Sequence, residues 1–346
     1  MEILVPSTAT EERVEALRAE GYEVVDVWSS ARDELAALAA LPVPPAGLAP
    51  GSVPADDAAT EAMSRYIVWP WRRTVARLPV SEVFHILRTS RNRHLIPDDE
   101  QRAWSSALVG VAGLSVGASA VTACQATGAR HFRVADGDVL GITNLNRIAD
   151  VAFSAGLPKA ELVRRRIFEI DPYASVEPFE TGLDEAALDA FLGAPGSADA
   201  PLSVLVEETD DLYMKVLVRR RCRELRIPVV MSTDLGDSVT VDVERYDLDP
   251  ETPVLGGRVD EFSDDDLRSR DPRIRLALMR SLLADDAPPS VMSLLEEVGR
   301  SLTSWPQLGS TAMLAGALAA YAARRIIVGR DLPSCRYVVH TDAIFT

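Results

Sequence analysis

Ala107-Leu-Val-Gly110-Val-Ala112-Gly113-Leu-Ser115-Val-Gly117 is an apolar run closed by a glycine-rich turn, and a helical stretch over residues 118–126 follows it directly. A turn of small residues between strand and helix lets the backbone approach a ligand phosphate, and the helix N-terminus offers it N–H groups and a positive dipole end. Asp136 stands nineteen residues after Gly117, at the end of the next apolar run (132–135), where an acidic side chain can accept hydrogen bonds from ribose hydroxyls. The turn departs from GxGxxG, because Ala112 and Ser115 stand where glycines are expected, so a nicotinamide site does not follow from it. Gly113-Leu-Ser115-Val-Gly117 also satisfies the GxSxG nucleophile elbow. No HGGG-like oxyanion segment precedes it and nothing singles out His340, the only histidine placed to complete a triad, so a hydrolase is disfavoured.

Outward from this turn, apolar runs at 202–206 and 227–231 alternate with helical stretches such as 159–170, the pattern of a mostly parallel sheet covered on both faces. An alternating strand at 239–243, an acidic stretch at 260–266, a long apolar helix at 308–327 and a last strand at 336–340 complete the chain. The expected fold is therefore α/β: a Rossmann-like doubly wound sheet with an antiparallel C-terminal part. Toward the N-terminus, residues 1–40 read strand, helix, strand, helix, and LPVPPAGLAPGSVP over 41–54 reads as a linker because Pro and Gly oppose helix and sheet pairing. The expected organisation is a small α/β appendage with its linker over 1–54 and a connecting segment over 55–104 that carries the basic run Arg91-Asn-Arg93. The main domain is expected over 105–346, with an insertion at about 256–304.

Length and composition narrow the classes. The 346 residues allow two domains at roughly 100–200 residues each. The 47% hydrophobic and 25% charged content excludes a disordered or fibrous chain. The net charge of −16 repels phosphate backbones and disfavours nucleic acid as the main partner. Cys124, Cys222 and Cys335 are widely separated, so neither a disulfide framework nor a structural zinc is expected. The opening residues lack a basic and apolar leader, so a cytoplasmic chain is expected. The apolar stretch 311–323 falls short of the roughly 20 residues that cross a bilayer, so it is expected as a buried helix and no membrane association is expected.

After Asp136 the sequence becomes specific: Asp136-Gly-Asp138-Val-Leu-Gly-Ile-Thr-Asn144-Leu-Asn-Arg147, then Gly156-Leu-Pro-Lys159. This resembles the ThiF/MoeB superfamily, which includes ubiquitin-activating enzymes, MccB-type peptide adenylating enzymes and tRNA-threonylcarbamoyladenosine cyclases. Its members carry a DxD, then SNLxRQ, then GxxK; here Thr143 replaces Ser and Ile148 replaces Gln. Glu207-Glu-Thr209-Asp210-Asp211 after an apolar run is similar to the family's TD motif, Arg91-Asn92-Arg93 to its YNRQ, and Pro306-Gln307-Leu308 extends the likeness toward the C-terminus.

The resemblance implies an ATP-dependent adenylyltransferase that converts a carboxylate into an acyl-adenylate for an external amine or sulfur nucleophile. The residue types suit that chemistry, since attack on an α-phosphate with pyrophosphate leaving needs positive charge around phosphate oxygens. Arg147 and Lys159 supply it, with Asn144 as a polar donor; Asp210 would hold Mg²⁺; by resemblance Asp136 takes the ribose and Arg93 reaches the triphosphate, from a second subunit of a homodimer. Gly110, Ala112, Gly113, Ser115 and Asp138 complete the expected nucleotide contacts, with ATP and Mg²⁺ as cofactors. No GxxxxGK[ST] is present, which argues against a Walker-type site. Singly these residues have plainer roles: Arg and Lys as solvated surface charges, Asp210 as the cap of a helix that starts near Leu212. Residues 256–304 contain no cysteine, so a thioester relay is not expected, and the family's zinc-binding CxxC pair is missing, so the C-terminal region is expected to be held by packing alone. The substrate is left open among a small carrier protein, a peptide and a small acid, with the appendage as the expected recognition element. A catalytically silent nucleotide-binding regulatory or scaffold protein and a tRNA-modifying cyclase-like enzyme are the alternative readings.

Overall fold

Strand β5 (Leu108–Ala112) sits near the middle of a seven-stranded sheet in the computed structural model, which describes residues 1–283, 287, 289–294 and 297–344. The chain divides into two compact units, Met1–Arg102 with Phe168–Ala174, and Ala103–Ile167 with Ser175–Thr346.

The second unit carries β5, β6 (His131–Ala135), β7 (Ser175–Phe179), β8 (Val204–Glu207), β9 (Val229–Leu235), β10 (Ser238–Glu244) and β11 (Cys335–His340), in the order β11-β10-β9-β8-β5-β6-β7. Five strands from β7 to β9 run parallel, and β10 and β11 add antiparallel pairs, as expected from the sequence. Strand β5 reads as an unbroken apolar run, and β8 as one up to Glu207, because both faces of a parallel sheet are covered. Helix Val116–Ala126 packs against Gly309–Ile327, where a Cβ on Gly316 would lie 2.5 Å from Ser119 Cβ and 2.6 Å from Ala120 N. Small residues on that long helix are therefore a packing requirement, and its apolar centre is buried. Among the described residues no helix is long and apolar enough to cross a membrane. On the helix Leu212–Leu225, Val218 and Cys222 pack with Phe191, Leu205 and Tyr246, while Leu212 and Val216 pack with Met231, Leu255, Leu267 and Leu278. The expected insertion at 256–304 thus supplies core through Leu267 and Leu278; its residues 284–286, 288 and 295–296 lie outside the described residues.

In the first unit β1 (Glu2–Leu4), β2 (Glu23–Asp26), β3 (Ser64–Trp69) and β4 (Thr74–Pro79) form one sheet in the order β1-β3-β4-β2. This corrects the expected boundary at residue 54 and the reading of 55–104 as a connector. The two central strands of this sheet come from that segment, and β1 and β2 meet only through them. The Pro-rich stretch joins parts of one unit. Phe168–Ala174 completes the unit: the Trp69 indole N–H donates to Phe168 O at 3.0 Å, Glu169 accepts from the Trp71 indole at 2.7 Å and pairs with Arg72, Asp171 pairs with Arg88 at 3.2 Å, and the Tyr173 hydroxyl reaches Pro79 O at 2.5 Å.

Candidate active site

Strands β5 and β8 are neighbours whose chains leave in opposite directions, since β5 continues to β6 on one side and β8 to β9 on the other. Such a switch point leaves a crevice beyond the carboxyl ends of the strands, where ligands of open α/β sheets bind. Here it is built by close backbone contact: Glu208 N donates to Ala112 O at 2.7 Å, and Gly113 N to Ala135 O at 2.8 Å. Gly113 has φ +85°, and a Cβ there would lie 2.8 Å from Thr209 N and closer still to the Glu208 carbonyl. Only glycine fits the turn.

The turn presents two neighbouring clusters. In one, Asp136 is 9% exposed and accepts from Leu114 N at 2.7 Å and Asp138 N at 2.8 Å, so its carboxylate ties β6 to the start of the helix. Lys159 Nζ lies 2.8 Å from Asp138 Oδ2 and 3.5 Å from Asp136 Oδ2. In the other, a cavity of about 340 Å³ is lined by Ser115, Arg147, Glu208, Asp210, Asp234 and Trp305, among others. Ser115 precedes the helix without capping it; its hydroxyl instead accepts from Arg147 Nε at 2.8 Å, leaving the first turn uncapped by that side chain. Arg147 is carried by the loop after Asp138, where Asn144 Oδ1 accepts from Gly141 N at 2.8 Å and closes a tight turn. Asp210 is exposed at the end of β8, and the helix cap belongs to its neighbour Asp211, which accepts from Met214 N at 2.8 Å.

The structure thus brings Ser115, Arg147 and Asp210 onto one cavity and joins Asp136, Asp138 and Lys159 beside it, with Ala112 and Gly113 shaping the turn. Gly110 lies within β5, where a Cβ would collide with the Leu202 side chain, so its glycine serves strand packing. Arg93 belongs to the first unit, where its guanidinium donates to Val43 O at 2.7 Å and Pro44 O at 2.9 Å. Cys124 and Cys222 are buried core residues, and burial pushes the Cys124 thiol up to about 12.

Beneath Asp210 lies a buried ionic network. Glu207 accepts from Lys215 Nζ at 2.9 Å, from Arg219 and from Thr209 N at 2.8 Å, and Arg219 Nε reaches Glu244 Oε2 at 2.6 Å. Burial opposes the charge on Glu207, but Lys215 and Arg219 outweigh it and hold the carboxyl down to about 2. By catching Thr209 this carboxylate fixes the turn that presents Asp210. Glu208 behaves oppositely: desolvation pushes its carboxyl up to about 8, although Ser232 donates to it from N at 2.8 Å and Oγ at 2.9 Å. Ser232 and Asp234 lie in no motif, and Glu208 lies in the quoted 207–211 stretch without a role assigned to it. The available signal was a charged residue at the end of an otherwise apolar strand.

Residues 89–345 match the model of the ThiF family. The chain belongs to that family. As a ThiF family chain it is similar to the uncharacterized protein MT1398 of Mycobacterium tuberculosis, with 36% identity over 285 residues, 82% of this chain and 39% of that protein. It is also similar to the SAMP-activating enzyme E1 of Haloferax volcanii (30% over 145 residues, 40% of this chain and 51% of the relative). The tRNA threonylcarbamoyladenosine dehydratase of Bacillus subtilis is 26% identical over 161 residues, 46% of this chain and 60% of the relative. The chain therefore spans about two fifths to three fifths of these curated relatives. The crystal structure of E. coli MccB with MccA-N7isoASN shares the fold, with TM-score 0.54 and 16% identity over 74% of this chain and 69% of that one.

Proposed function

We propose that this ThiF family chain is an ATP-dependent adenylyltransferase that activates a carboxylate. The observation that carries the reading is the cavity at the β5–β8 switch point, where the uncapped helix start, Arg147 and Asp210 converge. A carboxylate oxygen of the substrate attacks the α-phosphorus of ATP, the bond to the β-phosphate oxygen breaks, and pyrophosphate leaves. An external amine or sulfur nucleophile then attacks the acyl carbon and releases AMP.

Arg147 and Lys159 stabilise the charge that spreads over phosphate oxygens, and the helix dipole adds to them. Asp136 receives the ribose, and Asn144 holds the loop that carries Arg147. A neutral Glu208 lines the cavity without adding to the repulsion of phosphates. Mg²⁺ fits Asp210 as a single carboxylate ligand. Among the described residues no group of three or more His, Cys, Asp or Glu could hold a metal, so the other ligands would be phosphate oxygens and water, the usual magnesium arrangement. When bound, the ion would neutralise phosphate charge. The family resemblance supports a homodimer, with Arg93 acting in trans, and a cytoplasmic setting. The names of the relatives, which include a SAMP-activating enzyme and an MccB complex with MccA, support carriers and peptides as substrates beside small acids.

ATP–³²P-pyrophosphate exchange against acids, peptides and carrier proteins tests the reading, with Asp210→Ala as control. Exchange that disappears in the control is expected. ATP binding without exchange for any substrate would refute catalysis and favour a nucleotide-binding regulator.

A further inference from the structure

Asp234 stands on β9 where that strand reaches the cavity, and it is 5% exposed. Gln307 Nε2 donates to its Oδ1 at 3.1 Å, while its Oδ2 is buried and has no hydrogen-bond partner among the described residues. A buried carboxylate oxygen without a donor is costly and rare in folded proteins, and it calls for a ligand. Nothing in the packing of β9 requires a charge here. The local electrostatics are mixed: Arg147 favours the charge on Asp234, Asp210 opposes it, and burial raises the carboxyl from its ordinary value. Two chemistries therefore face each other across one cavity, a cationic edge at Arg147 and a lone buried acceptor at Asp234. Met279, Leu282, Leu283 and Trp305 add apolar surface to the lining of the same cavity.

We propose that Asp234, braced by Gln307, accepts the protonated amino group of the substrate, which is therefore an α-amino acid whose side chain lies on the Met279–Trp305 surface. A full positive charge suits an enclosed carboxylate better than a neutral donor. The amino acid's own carboxylate then faces Arg147 and the helix start, as the adenylation reading requires; the proposal rests on that reading for orientation only.

The test is calorimetric binding of matched pairs to the full chain with Mg²⁺ and a non-hydrolysable ATP analogue: L-leucine and L-2-hydroxyisocaproate, L-methionine and its α-hydroxy analogue, L-phenylalanine and L-phenyllactate. At least one amine member should bind roughly tenfold or more tightly than its hydroxy partner. Asp234→Asn should erase that preference, with nucleotide binding measured alongside as the folding control. Equal binding within every pair, no binding by any member, or a preference that survives Asp234→Asn overturns the proposal. So does a variant that changes only the Mg²⁺ concentration needed, which would give the carboxylate to the metal. Should Asp234→Asn not fold, Gln307→Leu, which frees the bracing contact, should weaken the same preference, and an unchanged preference overturns it. Exchange assays on the same pairs separate the two readings. Amine selectivity without exchange removes the adenylation reading alone, and exchange without selectivity removes this one alone.

Discussion

Replacing Gly113 by alanine tests whether the close approach of β5 and β8 builds the site. Two costs add. A side chain at φ +85° pays about 1–2 kcal/mol for left-handed backbone. The new Cβ would also overlap the Glu208 carbonyl and sit 2.8 Å from Thr209 N, both backbone, so relief requires moving the strand end at an overpacking cost of about 1–3 kcal/mol. The sum is about 2–5 kcal/mol, which at about 2–4 °C per kcal/mol lowers Tm by roughly 4–20 °C. Gly156→Ala separates the terms, because Gly156 has φ +91° with nothing within 4 Å of its Cβ and should pay only the first. Differential scanning calorimetry with ATP titration on both variants measures the difference. Gly113→Ala should also bind ATP more weakly, since the shift displaces Thr209 and Asp210, whereas Gly156→Ala should bind as the wild type. Equal Tm losses in the two variants, or unaltered ATP affinity in Gly113→Ala, would refute the reasoning.

Arg219→Leu strands two buried carboxylates, Glu207 and Glu244, and should cost about 3–5 kcal/mol in urea unfolding. The Glu207 charge stabilises the fold above its unfolded value near 4.5, and that contribution is lost as the pH falls toward about 2; in Glu207→Gln the slope of Tm over that acid window should flatten. Glu208 has the opposite sign. Its raised folded value near 8 makes the site most favourable below about 4.5 and progressively less so as the pH rises through 8. Glu208→Gln, which keeps the acceptor for Ser232, should match the wild type in Tm at pH 4.5 and exceed it at pH 9. Lys159→Met removes the cation beside Asp136 and Asp138 and should weaken ATP binding by about tenfold or more; unchanged affinity by equilibrium dialysis would remove Lys159 from the site.

Strands β5, β6, β8, β9 and β10 were legible because each is a largely buried run or an alternation, and the turn at Gly113 because only glycine fits where two backbones touch. Ordered motifs on one segment and one strand end foreshadowed two groupings, Arg147 with Asp210 on one cavity and Lys159 with Asp136 and Asp138 beside it. β3 and β4 were not legible: Ser64–Trp69 and Thr74–Pro79 carry Arg65 and Arg77, the first is followed by Pro70 and the second ends in Pro79, and their pairing with β1 and β2 is set across the Pro-rich stretch. Arg93 shows the limit of a local motif, since its hydrogen bonds go to carbonyls fifty residues earlier. Asp234 shows another, because an orphan oxygen exists only once neighbours are in place.

The first unit is made from two pieces of chain, and Phe168–Ala174 brings it the partners of Trp69, Trp71, Arg72, Arg88 and the carbonyl of Pro79. Time therefore enters the architecture. During synthesis residues 1–102, with all four strands, emerge before that segment, so the acceptors of the Trp69 and Trp71 indoles arrive only after the strands that carry them. By then β5, β6 and the turn at Gly113 have also been made, so the contacts that complete the N-terminal unit form only after part of the second unit has been synthesised. A fragment cut at residue 54 would lose two of the four strands, and one cut at 102 would keep all four strands but lose those contacts.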